Sequence, residues 1–506
     1  MINIIFDNAD NKELFEGAAI SICRAFFPDD QVVSSSDDDH TLDDSALSLT
    51  GESRTLYLKF EVGVVRVFTG DVENAMKVRT DDDHSMTEAV RSTLKKLLYS
   101  TLETALEGRS LPWGCLTGVR PVHFLSKLIR REGSEEAAVR VFENEFHVSR
   151  KKSKLALSVY QKQQSILKDM REGYSLYVGI PFCPSVCLYC SFVSYPISAF
   201  GGMVDKYMMA LKREMEVCAS LMKDKTPVSV YIGGGTPSAL SIEQLTFLME
   251  CLKDNFDLSS VDEFTCEAGR PDTINDEKMA VLKEYGVNRI SVNPQTMNQS
   301  TLDIIGRHHT PRQTELAFEC ARRAGFDNIN MDIIMGLPDE GYYELERTLT
   351  AIELLGPDAL TVHSLAVKKG SALMEKLITR DMSTLSLNVT GQMQDLVTSY
   401  VQDMGMEPYY LYRQKRITDN IENIGYAKPG KHCIYNVITM EETQSVLALG
   451  AGAISKRVYD DPEREAEAPD GTLRRRNIER CDNVKEVAAY IERIDEMIDR
   501  KRALFG

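Results

Sequence analysis

The run Tyr177-Val-Gly-Ile-Pro-Phe-Cys-Pro-Ser-Val-Cys-Leu-Tyr-Cys-Ser-Phe192 decides how this chain reads. It begins as a short apolar strand and ends in three cysteines spaced Cys183-x3-Cys187-x2-Cys190. Pro181 and Pro184 stiffen the loop between them. Three thiolates on one loop can hold three irons of a cubane iron–sulfur cluster and leave the fourth iron without a protein ligand. The rival is a structural zinc ion, which needs a fourth ligand in a closed tetrahedral set. No second Cys-x2-Cys follows, and the nearest histidine pair is His308-His309, far along the chain. Spacing favours the cluster over zinc.

Outward from that run, short apolar strands alternate with amphipathic helices. Strands are read near 176–180, 228–232, 264–267, 289–292, 328–334 and 359–362, and helices over 204–219, 242–253, 276–284, 312–324 and 342–354. Repeated βα units predict a parallel sheet. Six of them predict an α/β fold, a partial (β/α)6 barrel that stays open where an eight-stranded TIM barrel closes.

In such barrels function gathers where strands end. The cysteines follow the first strand, and Gly233-Gly234-Gly235-Thr236-Pro237 follows the second. Glu267 ends the third strand, Gln295 lies just past the fourth, and Asp332 lies near the end of the fifth. Each has a bland reading alone. Three glycines make a tight turn, a strand-end carboxylate is often a satisfied structural group, and Arg307 could cap a helix or pair on the surface. Five such features on one rim are hard to explain as packing.

The rest of the chain sets limits. With 506 residues it exceeds one ordinary domain. It divides into an α+β region over 1–168, the barrel over 169–393 and a small α+β extension over 394–506. A hydrophobic fraction of 43% and a charged fraction of 27% suit a soluble globular protein. No apolar stretch of about 20 residues can span a membrane, and the first residues lack the pattern of a secretory signal. The expectation is a cytoplasmic protein. Eleven cysteines, an odd number in a long chain, argue against a disulfide framework. A net charge of −17 disfavours nucleic acid as a partner, but permits an anionic small ligand in a local basic pocket.

The N-terminal region reads as a strand at its start, a hairpin over 55–68 turning near Glu61 and Gly63, and a helix over 86–106. The loop from Leu111 to Pro121 holds Trp113, the single tryptophan. Asp81-Asp82-Asp83-His84 repeats Asp37-Asp38-Asp39-His40, and both suit solvated loops or helix starts better than a metal site.

The run 177–192 and the glycine turn, with Arg289-Ile-Ser-Val-Asn-Pro-Gln-Thr-Met297, Gly306-Arg-His308, Met331-Asp-Ile-Ile-Met-Gly-Leu-Pro338 and Leu449-Gly-Ala-Gly-Ala453, resemble the radical S-adenosylmethionine (SAM) superfamily. Within it, the chain from about 172 to 480 resembles the oxygen-independent coproporphyrinogen III oxidase group, most of all the HemZ-type coproporphyrinogen dehydrogenases. The resemblance implies a [4Fe–4S] cluster on Cys183, Cys187 and Cys190, with SAM chelating the open iron. Tyr177 would be the catalytic-site tyrosine beside them. The backbone of Tyr189 would meet the adenine, and Gly234, Gly235 and Thr236 the methionine end. Glu267, Gln295, Arg307 and Asp332 would hold the rest of SAM.

The implied reaction is oxidative decarboxylation of two propionates of coproporphyrinogen III to vinyl groups by a 5′-deoxyadenosyl radical. It implies a tetrapyrrole substrate and a low-potential donor such as flavodoxin or ferredoxin. A heme chaperone on the same barrel, or another heme-handling radical SAM protein such as a heme-cleaving methyltransferase, is the alternative. Arg413, Lys415, Arg416, Lys428 and Lys431, among Tyr409, Tyr410, Tyr412 and Tyr426, are the expected cations and aromatics for the substrate. Two positions depart from the pattern. Gly179 stands where many relatives have histidine, and Phe192 where the established oxidases carry a fourth cysteine.

Overall fold

Two larger sheets organise the chain in the computed structural model, which describes all residues except 29, 38–53, 70–71, 80–84, 193, 367–370, 379–388, 415–420, 462–463, 468–472 and 476. They belong to two compact units, one of residues 1–160 with 412–422, the other of 161–411 with 423–506.

The first unit is built on a five-stranded sheet in the order Val32–Ser36, Ile2–Phe6, Arg54–Glu61, Val64–Thr69, Val72–Lys77. The first three strands are parallel, and the last two continue as an antiparallel meander. The predicted hairpin turns at Gly63, where φ is +73°. Helix Met86–Ala105 begins with a capping box between Ser85 and Glu88. Trp113 is fully buried and donates its indole N–H to Glu422 Oε2 at 2.8 Å, while Lys152 Nζ reaches Glu422 Oε1 at 2.5 Å. The acidic repeat at 81–84, and most of the one at 37–40, lies outside the described residues.

The second unit holds the barrel. Strands Tyr174–Ile180, Pro227–Gly234, Glu263–Glu267, Arg289–Ser291, Ile329–Met335 and Ala359–Ser364 lie side by side, all parallel, in chain order. The six predicted βα units are therefore present. The helix after the cysteine loop starts earlier than the pattern suggested, at Ile197, and runs through Gly201 and Gly202 despite their poor helix propensity. Residues beyond 394 extend both edges. Val446–Leu449 pairs parallel with the first barrel strand, and Glu422–Ala427 pairs antiparallel with the sixth.

Strand alternation sorts the side chains. In the first strand Leu176, Val178 and Ile180 are fully buried, and Tyr177 alone of its seven residues is partly exposed. Tyr231, Glu267, Asp332 and His363 are likewise partly exposed among buried neighbours on their strands. These five share the inner face and line an open lumen. Its strand-entry end is plugged by helix Ile434–Glu441, whose first backbone N–H groups donate to Glu263, Ile434 N at 2.6 Å and Tyr435 N at 3.3 Å. Tyr435 then stacks on Tyr231 (4.6 Å between centroids) and Tyr177 (6.0 Å).

A buried polar knot secures the end of the first strand. Glu214 Oε1 accepts from Lys501 Nζ at 2.6 Å and Asn483 Nδ2 at 2.8 Å, and Oε2 from Tyr490 Oη at 2.6 Å and Gly450 N at 2.8 Å. Both Glu214 and Lys501 are completely buried. At Gly450 (φ +98°) a Cβ would stand 2.5 Å from Gly179 O and from Tyr207 Oη, and that hydroxyl donates to Gly179 O at 2.6 Å. Only glycine permits this approach.

Removing one member of a buried ion pair strands its partner's charge, at a cost of about 3–5 kcal/mol. Lys501→Met is therefore expected to lower the unfolding free energy by that order in urea titrations, and the double variant Glu214→Gln/Lys501→Met to recover part of the loss.

Candidate functional site

The cysteine loop is tied down along its length. Gly235 N donates to Ile180 O and Thr236 N to Phe182 O, each at 2.7 Å, so the glycine turn after the second strand is stitched to the backbone entering the loop. A Cβ on Gly235 would meet Phe182 O at 2.7 Å, Ile180 O at 2.9 Å and Cys183 Sγ at 3.0 Å, which excludes any side chain there. Farther on, Leu188 N donates to Ile305 O at 3.0 Å and its carbonyl accepts from Leu373 N at 2.9 Å. Leu188 is buried among Leu302, Ile305, Ile334, Leu337, Leu365 and Leu373. Cys190 N closes a turn onto Cys187 O at 3.0 Å.

The thiols are close enough to feel one another. Burial first, then the charges of Cys187 and Cys190, push the Cys183 thiol up to about 11, against the pull of Thr236 and Arg270. Thr236 Oγ1 lies 3.4 Å from Cys183 Sγ, and Arg270 Nη1 lies 3.8 Å from Cys187 Sγ. A thiol held neutral in this way becomes a ligand when a metal centre supplies the positive charge. Among the described residues no group of three or more His, Cys, Asp and Glu is gathered closely enough to hold one metal ion.

The rim residues read from sequence surround the mouth of the lumen. Gly234 is exposed with φ +107°, and Thr236 is buried. Glu267 receives the Tyr231 hydroxyl. Burial chiefly, and the nearby Asp332 charge, raise its carboxyl to about 7. Burial would raise Asp332 too, but hydrogen bonds from His363, Asn330 and Thr361 hold it below its ordinary value. Asn330 Nδ2 lies 2.7 Å from Asp332 Oδ1. Gln295 takes a left-handed backbone (φ +68°) while its N–H donates to Asp332 O at 2.9 Å. Such a conformation is costly for a side-chain-bearing residue and collects at functional sites. Arg307 is buried, donates from Nη1 to Asn293 O at 2.6 Å, and neighbours Tyr189 and Cys187. Arg307 Nε and Asn293 Oδ1 are buried without a partner, an unmet demand that a polar ligand satisfies. Three adjacent thiols, a Cβ-free cradle and orphaned polar atoms fit a cluster with a polar organic ligand.

Sequence reasoning overlooked Arg270, which clamps Asp272 through Nε at 3.0 Å and Nη2 at 3.2 Å and touches Ser185 and the Cys187 sulfur. Its one sequence signal is proximity to Glu267. Three of the five expected substrate cations, Arg413, Lys428 and Lys431, are corrected by the fold. Glu422–Ala427 runs antiparallel to the sixth strand, which carries the following residues to the strand-entry end of the barrel. There Lys428 Nζ reaches Gly356 O at 3.5 Å and Lys431 pairs with Asp327 at 3.2 Å, so neither faces the cysteine mouth. Tyr409 and Tyr426 are buried, and the ring of Tyr410 packs against Gly425. Arg413 is buried in the first unit, donating to Leu116 O at 2.6 Å. Lys415 and Arg416 lie outside the described residues.

Residues 177–352 match the model of the radical SAM superfamily. The chain is 36% identical over 418 residues to the oxygen-independent coproporphyrinogen-III oxidase-like protein HemZ of Bacillus subtilis (strain 168), covering 81% of this chain and 80% of that protein. It belongs to the radical SAM superfamily, among the oxygen-independent coproporphyrinogen III oxidase-like proteins. The heme chaperone HemW of the same organism is 33% identical over 283 residues, 55% of this chain and 70% of HemW. Among solved structures, coproporphyrinogen III oxidase (HemN) from Escherichia coli aligns with a TM-score of 0.49 and 23% identity, over 66% of this chain and 72% of that one. The cofactors of the superfamily, a [4Fe–4S] cluster and SAM, are those of this chain. Among the described residues no helix is long and apolar enough to cross a membrane.

Two outcomes follow from these contacts. Replacing Arg270 with Met removes a positive charge and an N–H···S contact, and donors to cluster sulfur raise the potential. An EPR-monitored redox titration should find the variant's cluster at a more negative potential with its iron content retained. For Glu267, the native state without ligands keeps a proton that the unfolded chain releases above about pH 4.5. Stability therefore falls as pH rises from there to about 7, by up to about 3 kcal/mol, and levels off beyond. Glu267→Gln should abolish this contribution in ligand-free unfolding curves compared across that window.

Proposed function

We propose that this chain carries out oxygen-independent oxidative decarboxylation of coproporphyrinogen III, converting two propionates to vinyl groups in the cytoplasm. The observation that carries the reading is the lumen: five polar or aromatic side chains, one from each of five strands, open toward the mouth that holds the three cysteines. The 36% identity to a coproporphyrinogen-III oxidase-like relative over four-fifths of both chains supports it.

In this reading Cys183, Cys187 and Cys190 hold the cluster. When bound, the cluster and SAM would supply a carbon radical for hydrogen abstraction at a propionate β-carbon, with carbon dioxide released and the remaining electron passed to an external one-electron acceptor. The chain's part is to place and shield. Gly234, Gly235 and Thr236 let the methionine end approach the backbone, and the backbone of Tyr189 meets the adenine. Arg307 suits the methionine carboxylate, while Glu267, Asp332 and Gln295 suit ribose hydroxyls and the ammonium. Tyr177, stacked on Tyr231 and Tyr435, floors the lumen and keeps water from beneath the reacting groups. A low-potential donor such as flavodoxin or ferredoxin supplies electrons.

One observation favours a second reading. Phe192, which occupies the place of the oxidases' fourth cysteine, is 71% exposed, and the HemW relative is a heme chaperone by name. On that reading the barrel binds heme and does not decarboxylate. Reduced, reconstituted protein incubated anaerobically with SAM and coproporphyrinogen III should yield vinyl product and carbon dioxide, and Cys187→Ala should abolish both. Tight heme binding with SAM intact and no carbon dioxide would replace the decarboxylase with the chaperone.

A further inference from the structure

The N-terminal unit holds a feature that the barrel chemistry leaves unused. A cavity of about 760 Å³ opens beside the last strand of its sheet and helix Met86–Ala105, lined by Lys77, Arg79, Lys96 and Arg131. A second cavity, of about 280 Å³, shares Phe124, Phe146 and Glu88 with the first and adds Arg91, Lys95 and Arg120. Among the described residues the only lining carboxylates are Glu88 and Glu145. Counting Glu88 once, seven cations stand against two carboxylates, in a chain whose net charge is −17.

Two of the seven already pair with carboxylates, Lys96 with Glu145 and Arg131 with Glu132, each at 2.8 Å, and the excess of positive charge around the hollow still favours an anion. The field is felt inside the cleft. The hydrogen bond from Lys96, and then the charges of Lys96, Arg131 and Arg79, hold Glu145 below its ordinary value despite burial. The walls are also aromatic. Phe124 and Phe146 meet edge to face at 4.8 Å, and Lys96 Nζ stands 4.2 Å above the Phe146 ring. A cleft of this volume is in the range of small-molecule sites. Its chemistry is that of a receptor for an apolar-bodied compound carrying several anionic groups.

We propose that this cleft is a second tetrapyrrole site, holding a propionate-bearing macrocycle with its carboxylates on the arginines and lysines and its ring against Phe124 and Phe146. The choice of a tetrapyrrole rests on the proposed decarboxylase or heme-handling reading; the affinity for a polyanion rests on the cleft alone. Lys77 and Arg79 are exposed, so reversing them leaves the core of the unit untouched.

The test is fluorescence titration of the full-length protein with coproporphyrin III, the stable oxidised tetracarboxylate, at low and moderate salt. Lys77→Glu/Arg79→Glu is expected to weaken one binding step by at least about tenfold and flatten its salt dependence, while Lys77→Arg/Arg79→Lys keeps it. Equal affinity and an equal number of binding steps in the reversed variant and the parent would overturn the proposal. So would a variant impaired for pyrophosphate alone, since the cleft is then a phosphate site. Vinyl product from a protein whose coproporphyrin binding ignores the charge reversal sinks this site and spares the decarboxylase. Charge-sensitive binding without any vinyl product does the opposite.

Discussion

The close approach of two backbones at Gly235 is the constraint on which the site depends. Its N–H reaches Ile180 O at 2.7 Å, and the next N–H reaches Phe182 O at the same distance. These two bonds join the exits of the first and second barrel strands and set where Cys183 begins. The geometry is available only because no Cβ intrudes among two carbonyl oxygens and a sulfur. The apolar anchor of Leu188 fixes the far side of the loop. The loop between these anchors presents three sulfurs with little freedom, as a centre that must be preorganised requires.

Electrostatics divide the mouth of the barrel into unlike halves. On the cysteine side Arg270 and Arg307 are both buried and both lie near Cys187, favouring negative charge on sulfur. Across the lumen, Glu267 is raised and Asp332 is lowered, although both open into the same space. The difference comes from their neighbours: His363 and Asn330 stabilise the Asp332 anion, while Glu267 has the Tyr231 hydroxyl and must also face the Asp332 charge. An ionised carboxyl beside one that holds its proton more readily can accept and donate hydrogen bonds to the same polar ligand.

Much of this was legible in the chain before any coordinates. The cysteine spacing, the glycine turn and the six apolar runs depend on local order, and local order is what a sequence displays. Arg270 was missed because nothing in its own neighbourhood announces a sulfur contact 83 residues away. Lys428 and Lys431, expected beside the substrate, lie at the strand-entry end of the barrel. Cations and aromatics close in sequence suggested a binding wall, but the direction in which a strand joins its sheet is a tertiary fact. Antiparallel pairing of Glu422–Ala427 with the sixth strand sends Lys428 and Lys431 away from the mouth. The Glu214–Lys501 pair, 287 residues apart, has no local signature at all.

That last pair imposes an order on assembly. During synthesis the first barrel strand and the cysteine loop emerge hundreds of residues before Asn483, Tyr490 and Lys501, yet the turn that braces Gly179 depends on those late side chains. A nascent chain on the ribosome therefore carries its three thiols on a strand that is not yet locked. The strand that presents the cysteine loop is locked only once helix Ile494–Phe505 has docked.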